Sequence, residues 1–278
     1  MAVSFMENEP FSPIKYVYEV EEILYKGKSK FQELMVFISP DFGRVFVLDN
    51  IVQLTERDEF FYHEMLTHIA MHTHPNPEKV VVIGGGDGGT MREVLRHKCV
   101  KKAYLVEIDK KVVEISKKYL PFVSSGLDDF RVEIHYVDGA EFIKKQQDVD
   151  VVIVDSTDAI GMARSLYSEE FFKNIFHCLS YNGLYVTHSE SLGFHREMAI
   201  EVQNSLKKIF PIVDLYSFPI PTYPGNWWSF AIGSKKYEPR KPNRETVDGT
   251  KIYDTQVHSW CFLPMSLYNR IMNGMAKW

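Results

Sequence analysis

Few folds accommodate the strand, glycine loop and helix that follow one another between Lys79 and Arg96. Lys79-Val80-Val81-Val82-Ile83 is an apolar-rich run of strand length, and Thr90 to Arg96 carries apolar residues at helical spacing. Between them stands Gly84-Gly85-Gly86-Asp87-Gly88-Gly89. Its five glycines let the backbone turn sharply and approach a ligand where any Cβ would collide. A loop shaped for phosphates would not carry the Asp87 carboxylate among them, because like charges repel. The loop therefore suits a nucleoside ligand whose nearby group is neutral or positive.

The same alternation continues downstream. Candidate strands are Val80–Ile83, Ala103–Ile108, Arg131–Tyr136, Val149–Val154 and Gly183–Thr187, with helices at Thr90–His97, Lys110–Tyr119, Ala140–Gln146 and Ser168–Leu179. Such a chain builds an α/β fold, a doubly wound, mostly parallel sheet with helices on both faces. After a helix near Phe194–Ile209, the runs Ile212–Phe218 and Trp227–Gly233 suit an antiparallel pair at the sheet edge. Upstream, Tyr16–Tyr25, Phe31–Ser39 and Arg44–Leu48 read as strands of a small antiparallel β domain. Asp58–His72 has helical spacing, closed by Pro75 and Pro77. The expected division is an N-terminal β domain over 1–56 and a Rossmann-like nucleoside-binding domain over 57–278.

Bulk properties exclude several classes. With 278 residues, 45% hydrophobic and 25% charged, the chain supports one large domain plus an annex. Its apolar runs are strand-sized, which predicts no membrane span. Met1–Glu9 lacks the features of a signal peptide, and Cys99, Cys178 and Cys261 show no metal spacing, so a reduced cytoplasmic setting is expected. A net charge of −5 without a basic cluster predicts no nucleic-acid partner.

Acidic residues end four successive strands: Asp87 in the first loop, Glu107 and Asp109, Asp138 before Gly139, and Asp155-Ser156-Thr157-Asp158. Each alone is equally well a helix N-cap; four together around a glycine loop, at the strand ends where such sheets bind ligands, point to a site. Glu107 follows the loop by roughly the 20 residues expected of a carboxylate that bonds ribose hydroxyls. That spacing fits dehydrogenases and methyltransferase-like nucleoside binders alike, but Asp87 would crowd a pyrophosphate. Asp155 and Asp158, three apart, suit a cationic substrate, one accepting a proton. Tyr62 and His63, on the helix before the first sheet strand, fit either the site or the core. The segment Pro219–Gly225 with Trp227 and Trp228 fits a wall for a methylene chain or cation, or core packing.

Together these motifs resemble the polyamine aminopropyltransferases, the spermidine synthases. The resemblance rests on G-G-G-D-G-G, Glu107-Ile108-Asp109, Asp138-Gly139 and D-S-T-D, and also on Leu48–Gln53, Thr55–Glu64 and Ile220–Pro224. It runs from about Phe31 to Pro264. It implies transfer of an aminopropyl group from decarboxylated S-adenosylmethionine, a co-substrate, to an amine, releasing methylthioadenosine. No prosthetic group or metal is implied.

By motif, Asp155 is then the proton acceptor, and Tyr62, His63 and Asp158 hold the acceptor amine, with Thr157 and Tyr223 beside it. Asp87 holds the donor's ammonium at the junction with the acceptor, Glu107 binds ribose, and Asp138 with Gly139 takes the adenine amino group. Gln32, Gln53, Gly84, Gly85, Gly86, Ile108 and Ser156 complete the donor side. The resemblance also implies a homodimer or homotetramer.

Elementary electrostatics supports the donor. Intact S-adenosylmethionine carries an α-carboxylate that Asp87 would repel, whereas the decarboxylated form presents only cations. At an effective dielectric near 20, a charge about 4 Å away is worth up to about 4 kcal/mol before desolvation.

Two departures bear on the acceptor. Where the family usually has D-P-x-G-P, this chain has Asp158-Ala159-Ile160-Gly161-Met162, which predicts a looser gating loop. Where many bacterial relatives have S-P-W, it has Ser191-Leu192-Gly193, which predicts extra space near the acceptor unless Trp227 or Trp228 fills it. Putrescine is the first expectation, with agmatine, cadaverine or a longer polyamine the alternative. A methyltransferase must overcome Asp87, and a binding protein without catalysis would not need Asp155 with Tyr62 and Asp158.

Overall fold

The computed structural model describes residues 3–9, 13–157 and 161–275. β-Branched and aromatic residues over the first fifty positions pair as strands, as such side chains favour. β1 (Val3–Asn8) and β2 (Lys15–Val20) form a hairpin. β3 (Glu22–Lys28), β4 (Glu33–Ser39), β5 (Gly43–Leu48) and β6 (Ile51–Thr55) form a four-stranded antiparallel sheet. The run expected as one strand from Tyr16 to Tyr25 is thus two, because the chain passes from one sheet to the other at Glu21. β1 was not anticipated: it buries only Phe5 and Glu7, and one of those is a carboxylate.

α1 (Glu59–Thr73) follows, buried along most of its circumference rather than on one stripe. The strands β7 (Lys79–Gly84), β8 (Lys102–Val106), β9 (Val132–His135), β10 (Val149–Asp155), β11 (Leu179–Ser191), β12 (Ile212–Pro219) and β13 (Trp227–Ser234) make one sheet in the order β12-β13-β11-β10-β7-β8-β9. Strands β7 to β11 run parallel, while β13 inserts antiparallel between β11 and β12. The antiparallel edge pair is as expected.

Helices cover both faces: α2 (Gly89–Leu95), α3 (Lys110–Tyr119), the single turn α4 (Pro121–Ser124), α5 (Gly139–Ile143), α6 (Glu169–Cys178) and α7 (Arg196–Lys207). Alternate residues of β7 serve the two cores. Val80 and Val82 pack with Met65, Leu66 and Ile69 of α1 and with Met91 and Val94 of α2. Val81 and Ile83 pack with Phe142 of α5, Phe171 and Phe172 of α6 and Val202 of α7. Cover on both sides is why these strands read as unbroken apolar runs. Two C-terminal helices, α8 (Thr255–Trp260) and α9 (Met265–Met272), close the chain.

The order of β7 to β10 places the site. The chain moves outward from β7 to β8 and β9, then returns to β10 on the other side of β7, so β7 and β10 flank the switch point where open α/β sheets bind ligands. Their register pairs Gly84 with Asp155. The N-terminal sheet is fastened over this end by Leu34, Val36, Phe46 and Leu54, which pack on Val112 and Ile115 of α3. All three cysteines are free thiols, and among the described residues no helix is long and apolar enough to cross a membrane.

Ile153 lies at the centre of β10 with no exposed surface. Ile153→Ala is expected to destabilise the protein by about 2–5 kcal/mol, read as a lower denaturant midpoint with an unchanged slope.

Candidate active site

The glycine loop is shaped by what it touches. Gly84 has φ +79°, and a Cβ there would collide with the Asp155 carbonyl oxygen. Gly85 has φ +65°, and a Cβ there would lie 2.7 Å from Asp155 Oδ2. The Gly85 amide donates to the Asp155 carbonyl at 2.7 Å. Glycine at both positions lets the loop wrap the carboxylate without displacing it.

Asp155 is almost fully buried at the end of β10. Its Oδ1 accepts from the Tyr62 hydroxyl at 2.9 Å and its Oδ2 from the Thr90 hydroxyl at 2.6 Å. Burial, then the nearby Asp87 carboxylate, raises its pKa above the ordinary range, despite His63 and the two donors pulling the other way. Burial and the Asp155 charge hold the Tyr62 phenol well above its usual pKa, so Tyr62 stays protonated and donates.

Asp87 is the opposite case. Burial opposes its ionisation, but the His63 imidazolium and the Gly89 amide outweigh it and lower the pKa. The Gly89 amide lies 2.8 Å from Oδ1, and His63 Nε2 lies 3.3 Å from the same oxygen. His63 Nδ1 bonds Glu59 at 2.6 Å, one turn earlier on α1. Burial alone would lower the His63 pKa; Asp87 and Glu59 instead lift it to about 10, so the ring is cationic at neutral pH. Glu59 in turn takes a bidentate pair from Arg92, at 2.9 Å to each oxygen, and Arg92 Nε reaches Glu93 at 2.7 Å. Negative and positive groups thus alternate from the cavity wall into the α1–α2 interface.

His63 was expected to hold the acceptor amine. Both its nitrogens face carboxylates, Glu59 and Asp87, and its charge matches that of an amine cation. Neither Glu59 nor Arg92 was singled out from the sequence. The signal was present in the four-residue spacing of Glu59 and His63 on one helix face.

The remaining expected residues line the same cavity of about 320 Å³. Gly86 and Glu107 stand together, and burial raises the Glu107 carboxyl to about 7 although the Asp109 amide donates to it at 2.8 Å. Ile108, Asp138 and Gly139 extend the wall, Asp138 also capping α5 through the Glu141 amide. The N-terminal domain contributes Gln32 and Gln53. The Gln32 amide is tied to Asp109 at 3.0 Å, while the Gln53 carbonyl accepts from the Tyr223 hydroxyl at 2.7 Å. Ser156 and Thr157 complete the rim. Asp158, Ala159 and Ile160 lie outside the described residues.

A second chamber, about 40 Å³, adjoins the first across Tyr62, Ser156, Thr157 and Tyr223. Its wall holds Glu7, Glu9 and Glu190 together with His188, His195 and Trp228. Glu190 sits at an irregularity where β11 shifts register against β13, with φ +67° in a residue other than glycine. Such strained positions are kept where a side chain must be aimed. Burial raises the Glu7 carboxyl to about 7, with Glu9 adding to the effect. Gly193, expected to enlarge this region, lines neither chamber.

A family model described as the spermine/spermidine synthase domain matches residues 59–243, and one described as the spermidine synthase tetramerisation domain matches residues 4–56. Polyamine aminopropyltransferase 1 of Aquifex aeolicus is 50% identical over 99% of both chains. The polyamine aminopropyltransferase of a Hydrogenobaculum species is 52% identical over the same shares. A spermidine synthase solved with the transition-state analogue AdoDATO superposes with a TM-score of 0.92 at 37% identity, covering 98% of this chain and 96% of that one. Spermidine synthase from Thermotoga maritima gives 0.88 at 36% identity, covering 98% and 94%. With its full length matched at both levels, the chain belongs to the spermine/spermidine synthase family, the polyamine aminopropyltransferases.

Proposed function

We propose that this enzyme transfers the aminopropyl group of decarboxylated S-adenosylmethionine to putrescine, giving spermidine and methylthioadenosine. The observation that carries the reading is the pair of carboxylates at the glycine loop. Asp87 is held ionised by a buried imidazolium, while Asp155 beside it has a raised pKa and two hydroxyl donors. One is fitted to hold a cation and the other to accept a proton.

In this reading Glu107 binds the ribose hydroxyls, Asp138 and Gly139 take the adenine amino group, and Gln32, Gln53, Ile108 and Ser156 enclose the donor. Asp87 meets the donor's ammonium, and its charge disfavours a donor that keeps its carboxylate. The acceptor enters as an ammonium without a lone pair. Asp155 removes one proton, Tyr62 orients the nitrogen, and Thr157 and Tyr223 confine the chain. The freed lone pair forms a bond to the carbon beside the sulfonium. As the carbon–sulfur bond breaks, its electron pair returns to sulfur, leaving neutral methylthioadenosine. A sulfonium is already a good leaving group, so no general acid is needed. His63, Glu59 and Arg92 act through Asp87 as positioning residues.

The second chamber favours a short diamine. Three carboxylates suit the distal ammonium, yet its volume offers on the order of three water-sized positions. Trp228 lines it, and Gly193 does not open it. Agmatine, cadaverine or a longer polyamine is the second reading, supported by the number of carboxylates there. We also infer a homodimer or homotetramer built through the β domain, where Val17 and Val3 are about 60% exposed.

The deciding assay supplies the purified enzyme with decarboxylated S-adenosylmethionine and a panel of amines, and identifies the products. Spermidine should dominate; a larger product formed in preference would overturn putrescine, and methyl transfer from the intact donor would overturn the reaction. Asp155→Asn is expected to lower turnover by roughly 10²-fold or more with donor affinity little changed. Near-normal turnover would remove Asp155 as the base.

Donor affinity should rise with pH through about 7 as Glu107 ionises to accept the ribose hydroxyls, and Glu107→Gln should flatten that limb. The stability of the free enzyme should show the opposite sign. A carboxyl raised from 4.5 to about 7 stabilises the fold below pH 4.5, and that contribution is lost as pH rises through 7. Glu107→Gln should therefore lessen the decline in unfolding midpoint over this window, the rest coming from groups such as Glu7.

A further inference from the structure

Behind the active site, on the far side of the Arg92–Glu93 pair, three histidines with no exposed surface come together: His68 and His72 on α1 and His97 just after α2. One ring nitrogen from each lies within 4.8 Å of the others. The hydrogen bonds assign the protons. His72 Nδ1 faces the His68 carbonyl at 2.9 Å, which can only accept, so Nδ1 carries the hydrogen and Nε2 presents a bare lone pair. That Nε2 is buried and has no hydrogen-bond partner. His68 Nε2 lies 3.1 Å from Glu93, which also accepts from Arg92 Nε at 2.7 Å and Arg96 Nε at 2.6 Å and so stands as a carboxylate. His68 therefore donates from Nε2 and offers Nδ1 toward the cluster. His97 Nε2 is 3.0 Å from that nitrogen.

Two imidazoles whose outer N–H is fixed by a carboxylate or carbonyl, with the inner lone pair converging on a third, form the arrangement that orients histidines on a metal ion. We propose that His68, His72 and His97 form a three-imidazole site for a borderline divalent ion of the Zn²⁺ class. Zn–N bonds of about 2.0–2.1 Å require the three nitrogens to draw closer than their outermost separation. The ion would link the C-terminal half of α1 to the end of α2.

One group competes for the site. Arg244 Nη1 donates to His97 Nδ1 at 3.0 Å, which places the His97 proton on Nε2, the nitrogen needed for the ion. Binding therefore moves that proton to Nδ1 and turns Arg244 away, with no net change in protons. Arg244 is only partly buried, on an irregular segment outside the helices, where Nη1 also reaches the Met71 carbonyl at 3.4 Å.

The test titrates chelator-treated full-length enzyme with Zn²⁺ by calorimetry and follows the thermal midpoint. We expect one equivalent that raises the midpoint and is lost in His72→Leu, which fills the space without a lone pair. Arg244→Met keeps all three ligands and removes the competing charge, so it should bind roughly tenfold tighter or more. Absence of that equivalent in the parent, unchanged binding in His72→Leu, or no gain in Arg244→Met would overturn the site and leave His72 Nε2 to a buried water.

Discussion

A carboxylate buried at a glycine loop would normally take up a proton, because a desolvated charge costs far more than a neutral acid. Asp87 escapes this through the His63 imidazolium, and His63 survives burial as a cation because Asp87 and then Glu59 flank its two nitrogens. Glu59 is itself balanced by Arg92, and Arg92 by Glu93. No member of this chain is affordable alone. Such buried pairs add little net stability compared with apolar side chains, but breaking one leaves an uncompensated charge behind. The pattern therefore makes more sense as a device for holding Asp87 ionised and fixed than as a contribution to folding.

The rest of the site depends on that fixed charge. Asp155, already raised by burial, feels it as a like charge that raises its proton affinity further, as the proposed role of base for an ammonium requires. The two carboxylates are chemically alike and have been pushed apart by their surroundings, one cation-paired and one hydroxyl-bonded. Division of labour between similar acids through environment is a general way to run proton chemistry near neutral pH. The parallel sheet supplies the geometry: β7 and β10 are neighbours at the switch point, so their ends deliver both groups to one place.

Residues that act from strand ends were the legible part of the sequence. An apolar run stops, an acid follows, and the doubly wound pattern fixes where that acid must lie. The glycine loop was legible for the same reason, as nothing else explains five glycines beside a strand. What escaped was set by long-range packing. Arg92 meets Glu59 only after α1 and α2 dock, so that pair has no local sign, and Glu59 showed itself only through its spacing to His63. Glu190 lies inside a strand and enters the second chamber through a register shift that no periodicity encodes. Glu7 and Glu9 arrive from β1 and the residue just after it, a segment whose alternation is masked because one of its two inward positions in β1 is charged. His63 lies in the expected cavity wall, but its charge is decided by two carboxylate partners of which only Glu59 is near it in sequence.

The two chambers also separate two selectivities that the sequence could not distinguish. In the proposed reading, donor choice rests on Asp87, a single charge in a glycine-lined wall. In the same reading, acceptor choice rests on Glu7, Glu9 and Glu190, two of them from the N-terminal segment and one from β11. A change in how that segment sits would alter the acceptor chamber while leaving the glycine loop and its ion chain untouched. On the proposed assignment, a change of amine preference is therefore most readily carried by the N-terminal domain and the β11 irregularity, and retention of the donor by α1, α2 and the loop between β7 and α2.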